Sequence, residues 1–152
     1  DGRARSIGVS NFQVHHLERL ARDAETVPAV NQIEVHPYFT NDAVRAYGSE
    51  HTILTEAWSP IAQGDVLDDP VVGQIAQKVA KTPAQVVLRW HIERGDIVFP
   101  KSSTPQRIKE NIDIFDFELS DDQIDELFGL DKGEAGRRGT NPDVFDWIPK
   151  QS

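Results

Sequence analysis

The stretch Asp96-Ile-Val-Phe-Pro-Lys-Ser-Ser-Thr-Pro-Gln-Arg107 runs from a short apolar segment through a proline into a lysine and three hydroxyl residues, then a second proline and an arginine. An apolar run this short, stopped by a residue that cannot donate to a ladder, reads as a buried strand. Thr104-Pro105 reads as a helix entry, a capping side chain followed by the residue whose fixed φ suits the first helical position. The stretch is therefore a strand giving way to a helix, with cations and hydroxyls gathered at the join.

The same step recurs upstream. Ser6–Val9 reads as a strand, followed by Val14, Leu17, Leu20 and Ala21 at helical spacing. Ala29–Val35 reads as a second strand, with a helix after it capped by Thr40 or Asn41. Thr52–Trp58 reads as a third, then a loop containing Gly64 and Pro70. Two helices follow. One carries Val72, Ile75, Ala76, Val79 and Ala80; the other opens on the capping box Thr82-Pro83-Ala84-Gln85, turns Val86, Val87 and Trp90 inward, and ends at Gly95. Asp96–Phe99 is the fourth strand, and the helix from Thr104-Pro105 runs to about Phe115. A further capping box at Ser120–Gln123 starts a helix with Ile124, Leu127 and Phe128 on one face, and a tail begins near Lys132. Strands alternating with helices predict an α/β fold of right-handed parallel βαβ units. Two architectures fit: an open doubly wound sheet, or part of a (β/α)8 barrel, which when complete needs about 250 residues and eight strands.

The bulk properties narrow the function. The chain has 152 residues, 38% of them apolar, and a formal net charge of −9. A surface of that sign disfavours nucleic acid and anionic membrane, so an anion site has to be a local exception. There is no cysteine, which removes a disulfide framework and a thiolate metal site and fits a cytoplasmic protein. No run approaches the roughly 20 apolar residues of a membrane span. There is no methionine either, and the first strand begins almost at once; the plain expectation is a fragment or a processed product.

Ligands of parallel α/β folds bind at the carboxyl ends of the strands. All four predicted ends are polar or aromatic: Ser10 and Asn11; Asn31, Gln32, Glu34 and His36; Trp58, Ser59 and Pro60; Lys101, Ser102 and Ser103. Ser10, Asn11 and Gln32 suit a carboxamide or a sugar, and Trp58 a planar ring. Lys101 and Arg107, with three hydroxyls and a helix N-terminus, suit a phosphate. Plainer readings stand beside these. Trp58 is a core or lid residue, Lys101 pairs with a carboxylate, Arg107 lies on a solvated face, Asn11 caps a helix, and His36 is structural. His15 and His16 are adjacent, point apart on a helix and make a poor metal pair. No GxGxxG or Walker loop is present.

Four segments together, Gly8–Phe12 (GVSNF), Asn31–Tyr38 (NQIEVHPY), Ala57–Gly64 (AWSPIAQG) and Phe99–Asn111 (FPKSSTPQRIKEN) followed by Phe115–Gln123 (FDFELSDDQ), closely resemble the aldo-keto reductases, most of all their bacterial diketogluconate-reductase-like branch. The resemblance implies the C-terminal half of a (β/α)8 barrel, strands five to eight with their helices, over residues 1–131, and a tail over 132–152. It implies NADPH as cofactor and a small carbonyl substrate, an aldehyde or ketone reduced by hydride transfer. By position, Ser10, Asn11 and Gln32 resemble the residues that hold the nicotinamide carboxamide, and Trp58 the aromatic that stacks on its ring, a place more often held by tyrosine. Ser59, Ile61 and Gln63 fall in the loop along the pyrophosphate. Lys101, Ser102, Ser103 and Arg107 resemble the grip on the 2′-phosphate, and Glu110 and Asn111 the adenine contacts. The family's catalytic Asp, Tyr, Lys and His lie in its first four β/α units, so no catalytic residue and no metal ligand carries over, and the chain alone is expected to be inactive. The expected partner is the missing N-terminal half-barrel or a second copy, since four strands leave two open edges. Trp147 is either a substrate contact or a tail anchor. The competing readings are a stand-alone nucleotide-binding or regulatory half-barrel and a structural protein without cofactor.

Overall fold

A computed structural model describes residues 2–145; Trp147 lies outside the described residues. Four parallel strands, β1 (Gly8–Ser10), β2 (Val30–Glu34), β3 (Leu54–Trp58) and β4 (Ile97–Val98), form one sheet in the order β1-β2-β3-β4. Helices α1 (Val14–Asp23), α2 (Asp42–Glu50), α3 (Pro70–Val79), α4 (Pro83–Glu93), α5 (Pro105–Ile112) and α6 (Asp121–Phe128) connect and flank them. The order never reverses, so the switch point of a doubly wound sheet is absent among the described strands. Successive right-handed crossovers then place the helices on one face and the strand carboxyl ends on one rim.

The pleat divides the sheet accordingly. The row Ile33, Ala57 and Val98 meets the helices: Ile33 and Ala57 are buried, and Val98 packs on the same core. That core gathers Leu17, Val44, Val72, Ile75, Val86, Val87, Trp90 and Leu127 from five helices. The alternate rows, Val30–Leu54 and Gln32–Glu56–Ile97, face away from it. Leu54 is 54% exposed there, and Gln32 donates to Glu56 across the strands. On α5 no residue is buried, and Ile108, Ile112 and Phe115, spaced as one helical face and its extension, are 53%, 70% and 64% exposed.

Several elements differ from their predicted bounds. The first strand lies two residues later than the apolar run, taking in Ser10. The fourth shrinks to two residues because the Asp96 side chain turns inward to Arg45 and His91 and the chain leaves the sheet at Phe99. Asn41 precedes α2 without capping it: at φ 52° its amide nitrogen donates to the Glu34 carbonyl instead. Residues Ala62–Asp68 form a 3-10 turn rather than a loop, kinked at Gln63 and Gly64. Helix α5 ends at Ile112, three residues early. Both capping boxes form as predicted, with Thr82 accepting from Gln85 N–H and Ser120 from Gln123 N–H. Ser120→Ala is expected to lower stability by about 1 kcal/mol, read as a shift of the urea midpoint at unchanged slope.

Candidate functional site

Beyond the rim, a cavity of about 960 Å³ lies between the turn after β3 and the segment joining β4 to α5. Ser59, Ile61 and Gln63 line it from the first, and Lys101, Ser102, Arg107, Glu110 and Asn111 from the second. Leu67, Leu88 and Phe99 give it an apolar wall that composition and spacing did not single out. A neighbouring cavity of about 560 Å³ is lined by Ser10, Asn11 and Trp58, together with Thr140, Pro142 and Phe145 of the tail. Gln32 and Ser103 line neither: Gln32 is spent on Glu56, and Ser103 stands exposed on the rim.

Local bonds fix the aromatic at the junction. Asn11 sits at φ 59°, its N–H donates to the Gln32 carbonyl at 2.9 Å, and its Oδ1 accepts from Trp58 Nε1 at 2.8 Å. Asn11 is therefore a clamp on the indole; Gln13, not Asn11, occupies the N-cap position of α1. The tail crosses the indole so closely that a Cβ at Gly139 would lie 2.4 Å from Trp58 Cη2, which only glycine avoids.

Lys101 and Arg107 make no ion pair among the described residues, contrary to the plain reading of Lys101 as a paired surface charge. Ser102 Oγ accepts the Thr104 N–H at 3.2 Å, so it shapes the turn, while the Thr104 side chain caps nothing. Two unpaired cations beside an uncapped helix start suit an anion.

The tail is anchored by Glu34, a residue the sequence marked only as polar. Its carboxylate accepts from Arg138 N–H and, at 2.9 Å, from Gly139 N–H, and pairs with the buried His36 at 3.0 Å. Burial alone would raise this carboxyl; the bonds from His36, Arg138 and Gly139 outweigh it and hold the group below its ordinary 4.5. His36 is structural, as the plain reading had it. His15 and His16 do come together: their rings lie 4.0 Å apart and both face Asp143. Adjacency on the first helical turn does not separate them because the tail draws both to one carboxylate. The His16 Nδ1 accepts the Gln13 N–H at 3.1 Å, which leaves the proton on Nε2, the nitrogen facing Asp143. At 3.5 and 3.9 Å from Asp143 neither ring hydrogen-bonds to it, and the trio is a contact between α1 and the tail.

Residues 1–132 match the aldo/keto reductase family. The chain belongs to that family. It is 48% identical over 147 residues to methylglyoxal reductase DkgA of Escherichia coli (strain K12), covering 95% of this chain and 53% of the relative. To glyoxal reductase of Bacillus subtilis (strain 168) it is 53% identical over 143 residues, covering 94% and 51%. The solved structure of a Gox0644 point mutant in complex with NADPH superposes with a TM-score of 0.93 at 46% identity, covering 96% of this chain and 54% of that one. The chain spans about half the length of the curated relatives it matches. For this aldo-keto reductase chain, the Glu34 clamp makes an acid-sensitive bond. A carboxyl held low stabilises the fold fully above pH 4.5 and loses that contribution as pH falls through its folded value. Glu34→Gln is expected to cost about 1–3 kcal/mol at neutral pH and to flatten the loss of stability below pH 4.5 relative to wild type, measured by urea titration at stepped pH.

Proposed function

We propose that this chain forms the NADPH site of an aldo-keto reductase that reduces small aldehydes and ketones, α-dicarbonyls such as those named for its relatives among them. One observation carries the reading: two unpaired cations, Lys101 and Arg107, stand at a cavity whose other wall is the turn after Trp58. In this reading the 2′-phosphate lies against Lys101, Ser102, Ser103 and Arg107, the adenine against Glu110 and Asn111, and the pyrophosphate along Ser59, Ile61 and Gln63. The nicotinamide lies on Trp58, its carboxamide toward Ser10, Asn11 and Gln32. Gln32 reaches it by giving up Glu56.

Bound NADPH supplies a hydride to a carbonyl carbon; the carbonyl oxygen then needs a proton to become an alcohol. This chain's own residues hold and orient the cofactor and exclude water from its ring. Its tyrosines do not suit proton transfer. Tyr38 donates to Asp69 at 2.8 Å, and burial with that bond pushes it up to about 12; Tyr47 stacks on His51 along α2. Neither tyrosine lines either cavity. We therefore assign the acid, with the rest of the family's Asp, Tyr, Lys and His set, to a second β/α half that completes a (β/α)8 barrel. The open sheet face and the bare stripe Ile108, Ile112 and Phe115 support such a cover, from a complementary half-barrel or a second copy. A stand-alone nucleotide-binding module is the second reading, favoured by a cofactor cavity built wholly from this chain. The setting is cytoplasmic on the chemistry of the cofactor, and among the described residues no helix is long and apolar enough to cross a membrane.

NADPH is expected to quench the fluorescence of Trp58, and Trp58→Phe to abolish the effect. Lys101→Ala and Arg107→Ala are each expected to weaken NADPH binding about tenfold or more while leaving NADH binding unchanged. An intact fold that shows no quenching overturns the cofactor reading. Turnover of methylglyoxal by the chain alone overturns the assignment of the acid elsewhere.

A further inference from the structure

Below the turn after β3 lies a titratable group that the proposed site does not use. His91 of α4 is fully buried. Its Nδ1 is 2.9 Å from Asp96 Oδ2, and its Nε2 is 3.0 Å from the carbonyl oxygen of Pro60. Both partners are acceptors, so the ring satisfies both only with a proton on each nitrogen. In the neutral form one nitrogen lone pair faces an oxygen at hydrogen-bond distance. Asp96 supplies the counter-charge. Burial works against its ionisation, but His91, Arg45 and Arg94 outweigh burial and hold it below its ordinary value. Burial pushes His91 down in turn, against the pull of Asp96. The charged groups around the pair are Arg45 of α2, bonded to Asp96 Oδ1 at 2.7 and 2.9 Å; Arg94, 4.0 Å from Oδ2; and Asp42, which bridges Arg45 and Arg94.

What His91 touches is a turn in which left-handed backbone is concentrated. Ser59, Ala62 and Gln63 all stand in the left-handed region, at φ 50°, 49° and 59°, with Gly64 at 107°. Left-handed non-glycine residues gathered in one turn persist only where the surroundings over-determine them. Ala62 and Val66 are buried in the core, and Arg138 reaches Asp65 at 2.9 Å from the tail. The His91 bond secures the turn at its entry, one residue past Ser59.

We propose that His91, backed by Asp96, is a positioning residue for the cofactor turn: by holding the Pro60 carbonyl it sets Ser59–Gly64 in the shape that walls the larger cavity. The proposal rests on the NADPH reading for its consequence, and on geometry alone for the hold itself. His91→Leu removes both polar contacts at similar volume. Without NADPH, amide exchange over residues 61–66 is expected to rise about tenfold in that variant while exchange in α1 and α2 stays as in wild type. With NADPH, the dissociation constant is expected to rise about tenfold. In wild type the affinity is expected to fall as pH rises through the His91 titration, followed by NMR of the ring nitrogens; in His91→Leu it is expected to be flat. Asp96→Asn lets a neutral ring donate to Pro60, and is expected to keep the turn protected while removing the pH dependence. If His91→Leu does not fold, Asp96→Asn and the wild-type pH profile decide. Unchanged exchange in a folded His91→Leu overturns the proposal, as does a wild-type ring whose single proton sits on Nδ1 throughout the range where the turn is protected. Should wild type fail to bind NADPH, the cofactor reading falls, and the exchange arm still decides whether His91 holds the turn.

Discussion

Unreversed right-handed winding is the constraint from which the other features follow. Each crossover lays its helix on the same side as the last, so one sheet face receives the whole core and the other receives none. The same winding collects four strand ends on one rim, which is why Ser10, Gln32, Trp58 and Lys101, scattered over ninety residues of sequence, have a common neighbourhood. It also explains what is bare. Among the described residues, Leu54 and Ile97 lie on a face with no helix to cover it, and α5 presents Ile108, Ile112 and Phe115 outward with no residue buried. Removing such apolar area from water stabilises by roughly 25 cal/mol per Å², so the face carries a standing drive toward a covering layer.

Much of this architecture was legible in the residues because it is set locally. Thr82 and Ser120 cap their helices through bonds three residues long, and those boxes formed as the sequence predicts. The strand interiors were legible for the same reason, since a run such as Thr52–Trp58 offers nothing else to bury. The ends of elements were not. Asp96 leaves the fourth strand because Arg45, 51 residues away, and His91 draw its carboxylate inward. Asn41 fails as a cap because its backbone is left-handed, at φ 52°, and its amide nitrogen is turned to the Glu34 carbonyl. Arg45 lies outside any local window, and Glu34 and His91, though near in sequence, become competitors only once the fold turns them toward these residues.

The candidate site divides the same way. The cations, hydroxyls and indole stand at or after strand ends, where parallel topology makes any polar residue a candidate. The residues that hold the site in shape carry less of that signal: Glu34 is marked only as one polar residue among several at a strand end, and His91 not at all. Glu34 meets Arg138 and Gly139 across more than a hundred residues, and His91 meets Pro60 across 31. Both read as ordinary core or strand positions until the fold brings their partners to them. Glu34 also ties the two cavities together. It fixes the tail that walls the smaller one, and Arg138, whose N–H it binds, reaches Asp65 on the turn that walls the larger.

The electrostatics of the rim weigh against a decorative role for its cations. The chain as a whole carries a charge of −9, which by itself repels a phosphorylated ligand. That field is screened beyond about 8 Å at physiological salt, so a ligand at the rim responds mainly to groups within a few ångströms. Were Lys101 or Arg107 paired with one of the many carboxylates available, the local field would vanish and the acidic background would prevail. Several cations elsewhere are paired: Lys81 with Asp113 and Asp116, Arg89 with Glu93, Arg94 with Asp42. Leaving Lys101 and Arg107 unpaired beside an uncapped helix start, in a surface so rich in acid, keeps positive potential at the larger cavity.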